Sequence, residues 1–162
     1  MTSPRTVLTL PSPDATCALA RTLGAHLSPG DVLLLSGGIG AGKTHFARCL
    51  IQSLQDRPED VPSPTFTLVQ VYDTRAGEVC HTDLYRLSGP DQCDELGLAD
   101  AFETAICIVE WPDRLAGLTP GDALTLDFSV PGDPDPDDLR RVALDWSAPR
   151  WNTLLDMAGV GS

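Results

Sequence analysis

The sequence predicts a three-layer α/β fold around a mixed, mainly parallel sheet, and three observations support it. Two continuous apolar runs, 31–36 (DVLLLS) and 105–110 (AICIVE), read as strands buried on both faces of a parallel sheet. A segment of helical period at 44–55 follows the first run across a glycine-rich loop. Residues 123–130 (ALTLDFSV) and 140–146 (RRVALDW) alternate with period two, the signature of antiparallel strands with one covered face. With 162 residues, 42% of them hydrophobic, the chain suits one core and a single domain over 1–162.

Each element has its own local reason. Residues 5–10 read as a short strand, and Ser12-Pro13-Asp14 then offers an N-cap, a proline at the first helical position and an early acid. Ala15, Leu19, Leu23 and Leu27 recur every four residues, so a helix is expected to run until Pro29-Gly30 stops it. In the helix over 44–55, Phe46, Ala47, Leu50, Ile51 and Leu54 form the apolar stripe. Residues 57–64 (RPEDVPSP) form a proline-rich loop. Strands over 65–73 and 78–86 are joined at 74–77 as a hairpin, and 88–100 is turn and short helix. Leu124, Leu126, Phe128, Val142, Leu144 and Trp146 should face the core across the acidic linker 131–138, and a helix over 150–157 closes the chain.

Composition excludes several classes of function. No apolar stretch approaches the roughly 18 residues that span a bilayer, and the N-terminus lacks the order of a signal peptide, so a cytoplasmic protein is expected. A formal net charge of −12 argues against a surface that grips nucleic acid by itself. Five widely spaced cysteines (Cys17, Cys49, Cys80, Cys93, Cys107) with no C-x-x-C pair predict buried reduced thiols, with neither a disulfide framework nor a zinc site.

The chemistry centres on Gly37-Gly38-Ile39-Gly40-Ala41-Gly42-Lys43-Thr44-His45. This G-x-x-x-x-G-K-T pattern lies between a buried strand and a helix. In that context backbone N–H groups cradle phosphates, Lys43 reaches the β and γ groups, and Thr44 ligates Mg²⁺. The positive end of the helix dipole adds to the pull on an anion. The motif makes the predicted fold a P-loop NTPase fold.

Such a site also needs a carboxylate at the end of a neighbouring strand, and Glu110 ends the second apolar run. His81, Asp83 and Tyr85 should share one strand face; Asp83 is the candidate to orient or deprotonate a water, and His81 is either part of the site or a satisfied structural histidine. Thr65, within Ser63-Pro64-Thr65-Phe66-Thr67, is a candidate switch residue, and Trp111 stands at the strand mouth to cover a base, a partner or the rim of the core. No Asn-Lys-x-Asp guanine signature occurs. A small-molecule kinase on the same P-loop is the alternative reading, but eleven basic residues in the whole chain leave little for an Arg-rich lid.

Taken in order, GGIGAGKTHF, SPTFTLVQVY, HTDLYRL, DELGLADAF and AICIVEWPDRL resemble the TsaE (YjeE) family of P-loop ATPases, which serve threonylcarbamoyladenosine modification of tRNA. The resemblance implies ATP and Mg²⁺ as cofactors and a weak ATPase working with the TsaB and TsaD proteins. The partner TsaD transfers the group, and tRNA is met only through the complex. It further implies that Lys43 binds phosphate, that Thr44 and Glu110 hold Mg²⁺, and that Asp83 is essential for hydrolysis. Trp111 would lie near nucleotide or partner, Thr65 in the switch segment, and residues 14–16 near the adenine. The chain departs from the family pattern at Gly38, where an acid is usual, at His45, where a second Thr is usual, and at Cys49, where Gly is usual and where altered packing alone is expected.

Overall fold

The computed structural model describes residues 5–37, 42–55, 69–85, 87, 90–130 and 139–159. The expected loop 57–64, the switch segment with Thr65, the linker 131–138 and the glycine-loop residues Gly38, Ile39, Gly40 and Ala41 lie outside them. The strands are β1 (Arg5–Leu10), β2 (Val32–Gly37), β3 (Val69–Thr74), β4 (Gly77–Asp83), β5 (Ile106–Glu110), β6 (Leu124–Ser129) and β7 (Arg140–Asp145). The helices are α1 (Pro13–Gly24), α2 (Lys43–Leu54), α3 (Pro90–Glu95), α4 (Leu98–Thr104) and α5 (Pro149–Met157), with a 3₁₀ segment at Pro112–Leu118.

The seven strands form one sheet in the order β1-β7-β6-β2-β5-β4-β3. Its centre is parallel: β2 lies between β5 and β6, and β4 pairs with the outer side of β5. The flanks are antiparallel, β7 joining β6 to β1 on one side and β3 pairing with β4 on the other. This is the expected mixed sheet with a parallel core, extended at both edges.

Two apolar clusters cover the two faces. Leu33, Leu35, Ile106 and Ile108 pack with Leu23 of α1, Phe46 and Leu50 of α2 and Trp151 of α5. Their sequence neighbours Val32, Leu34, Cys107 and Val109 point the other way, onto Leu84, Leu98 and Leu115. Alternation within wholly buried strands therefore feeds both outer layers, which is why these runs show no polar period. The expected inward residues of β6 and β7, with Trp146 just beyond, are all buried, and Phe128 meets Phe46 with ring centroids 5.5 Å apart.

Three local expectations differ from the structure. Ser12 caps α1 as expected, accepting a hydrogen bond from Ala15 N–H, but the helix stops at Gly24 rather than at Pro29-Gly30. His26 N–H and Leu27 N–H donate to the carbonyls of Leu23 and Gly24, so the chain tightens into i→i+3 turns and still buries Leu27. Second, β4 ends at Asp83, whose carboxylate accepts Tyr85 N–H and so draws the chain out of the ladder. Third, Cys17 and Cys49 are joined in a disulfide from α1 to α2, whereas Cys80 and Cys107 are free and buried as expected. Spacing could not reveal the bond, because it depends on the two helices lying side by side. Among the described residues no helix is long and apolar enough to cross a membrane.

Candidate nucleotide site

Parallel strands end on the same side of a sheet, and the carboxyl ends of β2, β5 and β4 bring the candidate residues together. Gly37 closes β2 opposite Phe128 of β6, with φ 131°, and a Cβ built there would stand 2.3 Å from the Phe128 carbonyl oxygen. Only glycine fits a backbone that close. Gly42 re-enters at φ 110° as the N-cap of α2, the left-handed conformation that turns the chain into its helix. Both outer glycines of the motif thus answer to backbone geometry.

From α2 the next two side chains turn inward. Lys43, the only lysine in the sequence, is buried; its Nζ donates to the Gly37 carbonyl at 2.6 Å and lies 3.6 Å from the centre of the Trp111 ring. Burial lowers its pKa below the usual lysine value, against the opposing pull of Glu110, Asp83 and Asp113. Thr44 Oγ1 donates to Glu110 Oε1 at 2.7 Å. The other Glu110 oxygen lies 2.7 Å from His81 Nε2, which carries the proton because a carboxylate only accepts.

Glu110 therefore joins the end of β5 to α2 on one side and to β4 on the other. The register explains the contact: in the parallel β4–β5 pair Asp83 aligns with Glu110 and His81 with Ile108, so His81 sits two positions behind the acid and therefore on the same face. His81 is fully buried, and among the described residues its Nδ1 has no partner. Asp83 is also buried, and desolvation raises its pKa above the ordinary aspartate value, the Tyr85 backbone hydrogen bond working in the opposite sense and nearby Glu110 adding to the rise.

Tyr85 does not share the strand face of His81 and Asp83. It is 47% exposed, and its ring lies 4.8 Å from that of Trp111. Trp111 occupies the left-handed region at φ 59°, rare for a residue with a side chain, and this carries the indole from the end of β5 back over Lys43. His45 points away from this cluster: its Nε2 donates to the Pro13 carbonyl at 3.1 Å, toward α1. At the start of that helix Asp14 is exposed and Thr16 buried. The structure brings the expected residues Lys43, Thr44, Asp83 and Glu110 together, and it adds His81, which the sequence left between two roles, through its contact with Glu110.

The donor set fits the groups the motif implies. A hydroxyl and a carboxylate held together offer hard oxygens of the kind Mg²⁺ takes. Lys43 and the N-terminus of the 12-residue α2 offer positive potential to phosphates.

Comparison with known proteins gives the family and the fold. Residues 10–135 match the family model described as "Threonylcarbamoyl adenosine biosynthesis protein TsaE". The chain belongs to the TsaE family. A TsaE protein of Rickettsia felis is 38% identical over 112 residues, 69% of this chain and 66% of its own length. One from Bacillus subtilis is 35% identical over 123 residues, covering 75% of this chain and 76% of the relative. The chain thus spans slightly less than two thirds of the Rickettsia relative. Among solved structures, that of YdiB from Bacillus subtilis superposes with a TM-score of 0.78 at 26% identity, covering 98% of this chain and 97% of the other. The expected P-loop architecture and family both stand.

Proposed function

We propose that this chain is a single Mg²⁺-dependent ATPase domain, cytoplasmic, and an accessory subunit in threonylcarbamoyladenosine modification of tRNAs reading ANN codons. It acts with TsaB and TsaD and does not transfer the group itself, and it meets tRNA only through that complex. The observation that carries the reading is the bonded set Thr44, Glu110 and His81, with Asp83 aligned beside Glu110 at the mouth of the glycine loop.

In this reading the outer glycines of the loop shape its backbone cradle, and residues 38–45 surround the phosphates. Lys43 leaves the Gly37 carbonyl and the Trp111 face to meet the β and γ groups. Its pKa is lowered by burial away from water, a cost that a phosphate's negative charge would offset. Thr44 and Glu110 hold Mg²⁺, which when bound neutralises charge on the phosphate oxygens. His81 fixes the orientation of Glu110. Asp83, whose burial makes it a stronger base than a surface aspartate, orients a water and accepts its proton as the water oxygen attacks the γ-phosphorus and the bond to the ADP oxygen breaks. Thr65 belongs to the switch segment that responds to the γ-phosphate, and Trp111 lies near nucleotide or partner.

The test is ATP hydrolysis by the full chain, alone and with TsaB, TsaD and tRNA. Weak turnover alone, stimulation by the partners, and loss in Lys43→Ala, Asp83→Ala and Glu110→Ala are expected. Rapid phosphorylation of a small acceptor, indifferent to the partners, would overturn the reading in favour of a kinase.

A further inference from the structure

Beyond the nucleotide site, the α1–α2 contact carries a second group of ligand atoms. The sulfurs of Cys17 and Cys49 and a ring nitrogen of His45 all lie within 4.8 Å of one another. His45 and Cys49 are four residues apart on α2 and so project from one helix face, with Cys49 Sγ 3.8 Å from His45 Nε2. Cys17 approaches from α1, its Cα 5.2 Å from that of Cys49. Close approach of the helices is secured at Gly24, where a Cβ would already be 3.3 Å from Leu50 Cγ.

We propose that, with the disulfide reduced, Cys17, His45 and Cys49 form a three-ligand site for a thiophilic divalent cation of the Zn²⁺ class. Two thiolates and an imidazole are the donors such ions select over Mg²⁺, and three protein ligands leave a fourth tetrahedral position open to water. At Zn–S distances of about 2.3 Å, tetrahedral angles put two sulfurs roughly 3.8 Å apart. The bonded pair reaches that spacing by side-chain rotation once the S–S bond is broken. Cys17 and His45 are only half-buried, which gives the cation a way in. His45 exchanges its hydrogen bond to the Pro13 carbonyl for the metal.

The disulfide and the metal site are alternative states of the same two sulfurs. A phosphine reductant becomes a phosphine oxide, taking its oxygen from water, while both sulfurs leave as thiols; cation binding then displaces the two thiol protons. The oxygen ligands Thr44 and Glu110 offer no sulfur, so the two cation sites differ in spectrum.

Co²⁺ is the probe. Metal-free full-length chain, reduced with a phosphine, is titrated with Co²⁺ and then with Zn²⁺. The expected result is a thiolate-to-cobalt charge-transfer band that saturates at one cobalt per chain and is abolished by Zn²⁺. Oxidised chain should show none, Cys17→Ser and Cys49→Ser should lose the band, and His45→Ala should weaken binding by about 10- to 100-fold. Absence of the band in reduced wild-type chain, or an unchanged band in Cys17→Ser, overturns the proposal. The first of these outcomes is read on the wild-type chain and needs no variant to fold.

Discussion

The two flanks of β2 use their buried positions for opposite purposes. Toward β6 and β7 the interior holds Leu124, Leu126, Phe128, Val142 and Leu144, with no charge among them. Toward β5 and β4 the interior, together with the start of α2, also holds Lys43, His81, Asp83 and Glu110. The first flank gains free energy by removing apolar surface from water. The second gives some of it up, since desolvation pushes Lys43 and Asp83 toward their neutral forms. Stability and chemistry are thus drawn from different sides of one strand.

The contrast breaks most sharply at Asp83. Asp83→Ala should slow hydrolysis by about 10²- to 10⁴-fold, the usual contribution of a positioned base, while nucleotide still binds. Single-turnover rates beside an equilibrium binding measurement separate these effects. On the apolar flank the largest loss should come at Phe128, which is buried against Phe46. Phe128→Ala should cost about 3–5 kcal/mol in urea unfolding. Reduction of the Cys17–Cys49 bond, which spans 32 residues, should cost about 3–4 kcal/mol, read as a lower melting temperature in metal-free buffer with reductant.

The smallest effect sharpens the comparison by its sign. Burial raises the Asp83 pKa in the folded chain above its ordinary 3.8, so over the window just above that value the folded state keeps a proton that the unfolded chain has released. Stability contributed by this group is full below 3.8 and falls as pH rises through the folded value. Asp83→Asn does not ionise and still presents an oxygen to Tyr85 N–H. It should therefore melt above the wild type at neutral pH, and the two curves should converge in acid. A melting difference independent of pH would assign the gain to something other than ionisation.

Much of this contrast was legible in the residue order. Period-two alternation named the inward side chains of β6 and β7, because one covered face imposes that period. Strand, glycine loop and helix named Lys43 and Thr44, and the end of the second apolar run named Glu110. Contacts set by register or by neighbouring helices were not legible. The bond from His81 to Glu110 depends on how β4 slides along β5, and the link between Cys17 and Cys49 depends on α1 lying against α2. Tyr85 was misplaced because an aspartate side chain can capture a backbone N–H two residues on and end a strand that alternation alone would continue. The 3₁₀ segment after Trp111 gave no periodic signal, and its short length explains why.

Gly37 joins the two flanks, since it ends the strand that leads to the loop and faces the Phe128 carbonyl of β6. The strand without chemistry is in this sense the mould against which the start of the glycine loop is cast. A chimera that replaced β6 and β7 with a foreign pair of strands would remove none of the site's side chains, which lie on α2, β4 and β5. It would nonetheless set a new backbone wall opposite residue 37, and a shift of one residue there would turn every β6 side chain to the other face. Transplanting this site into another scaffold therefore means transplanting β6 with it.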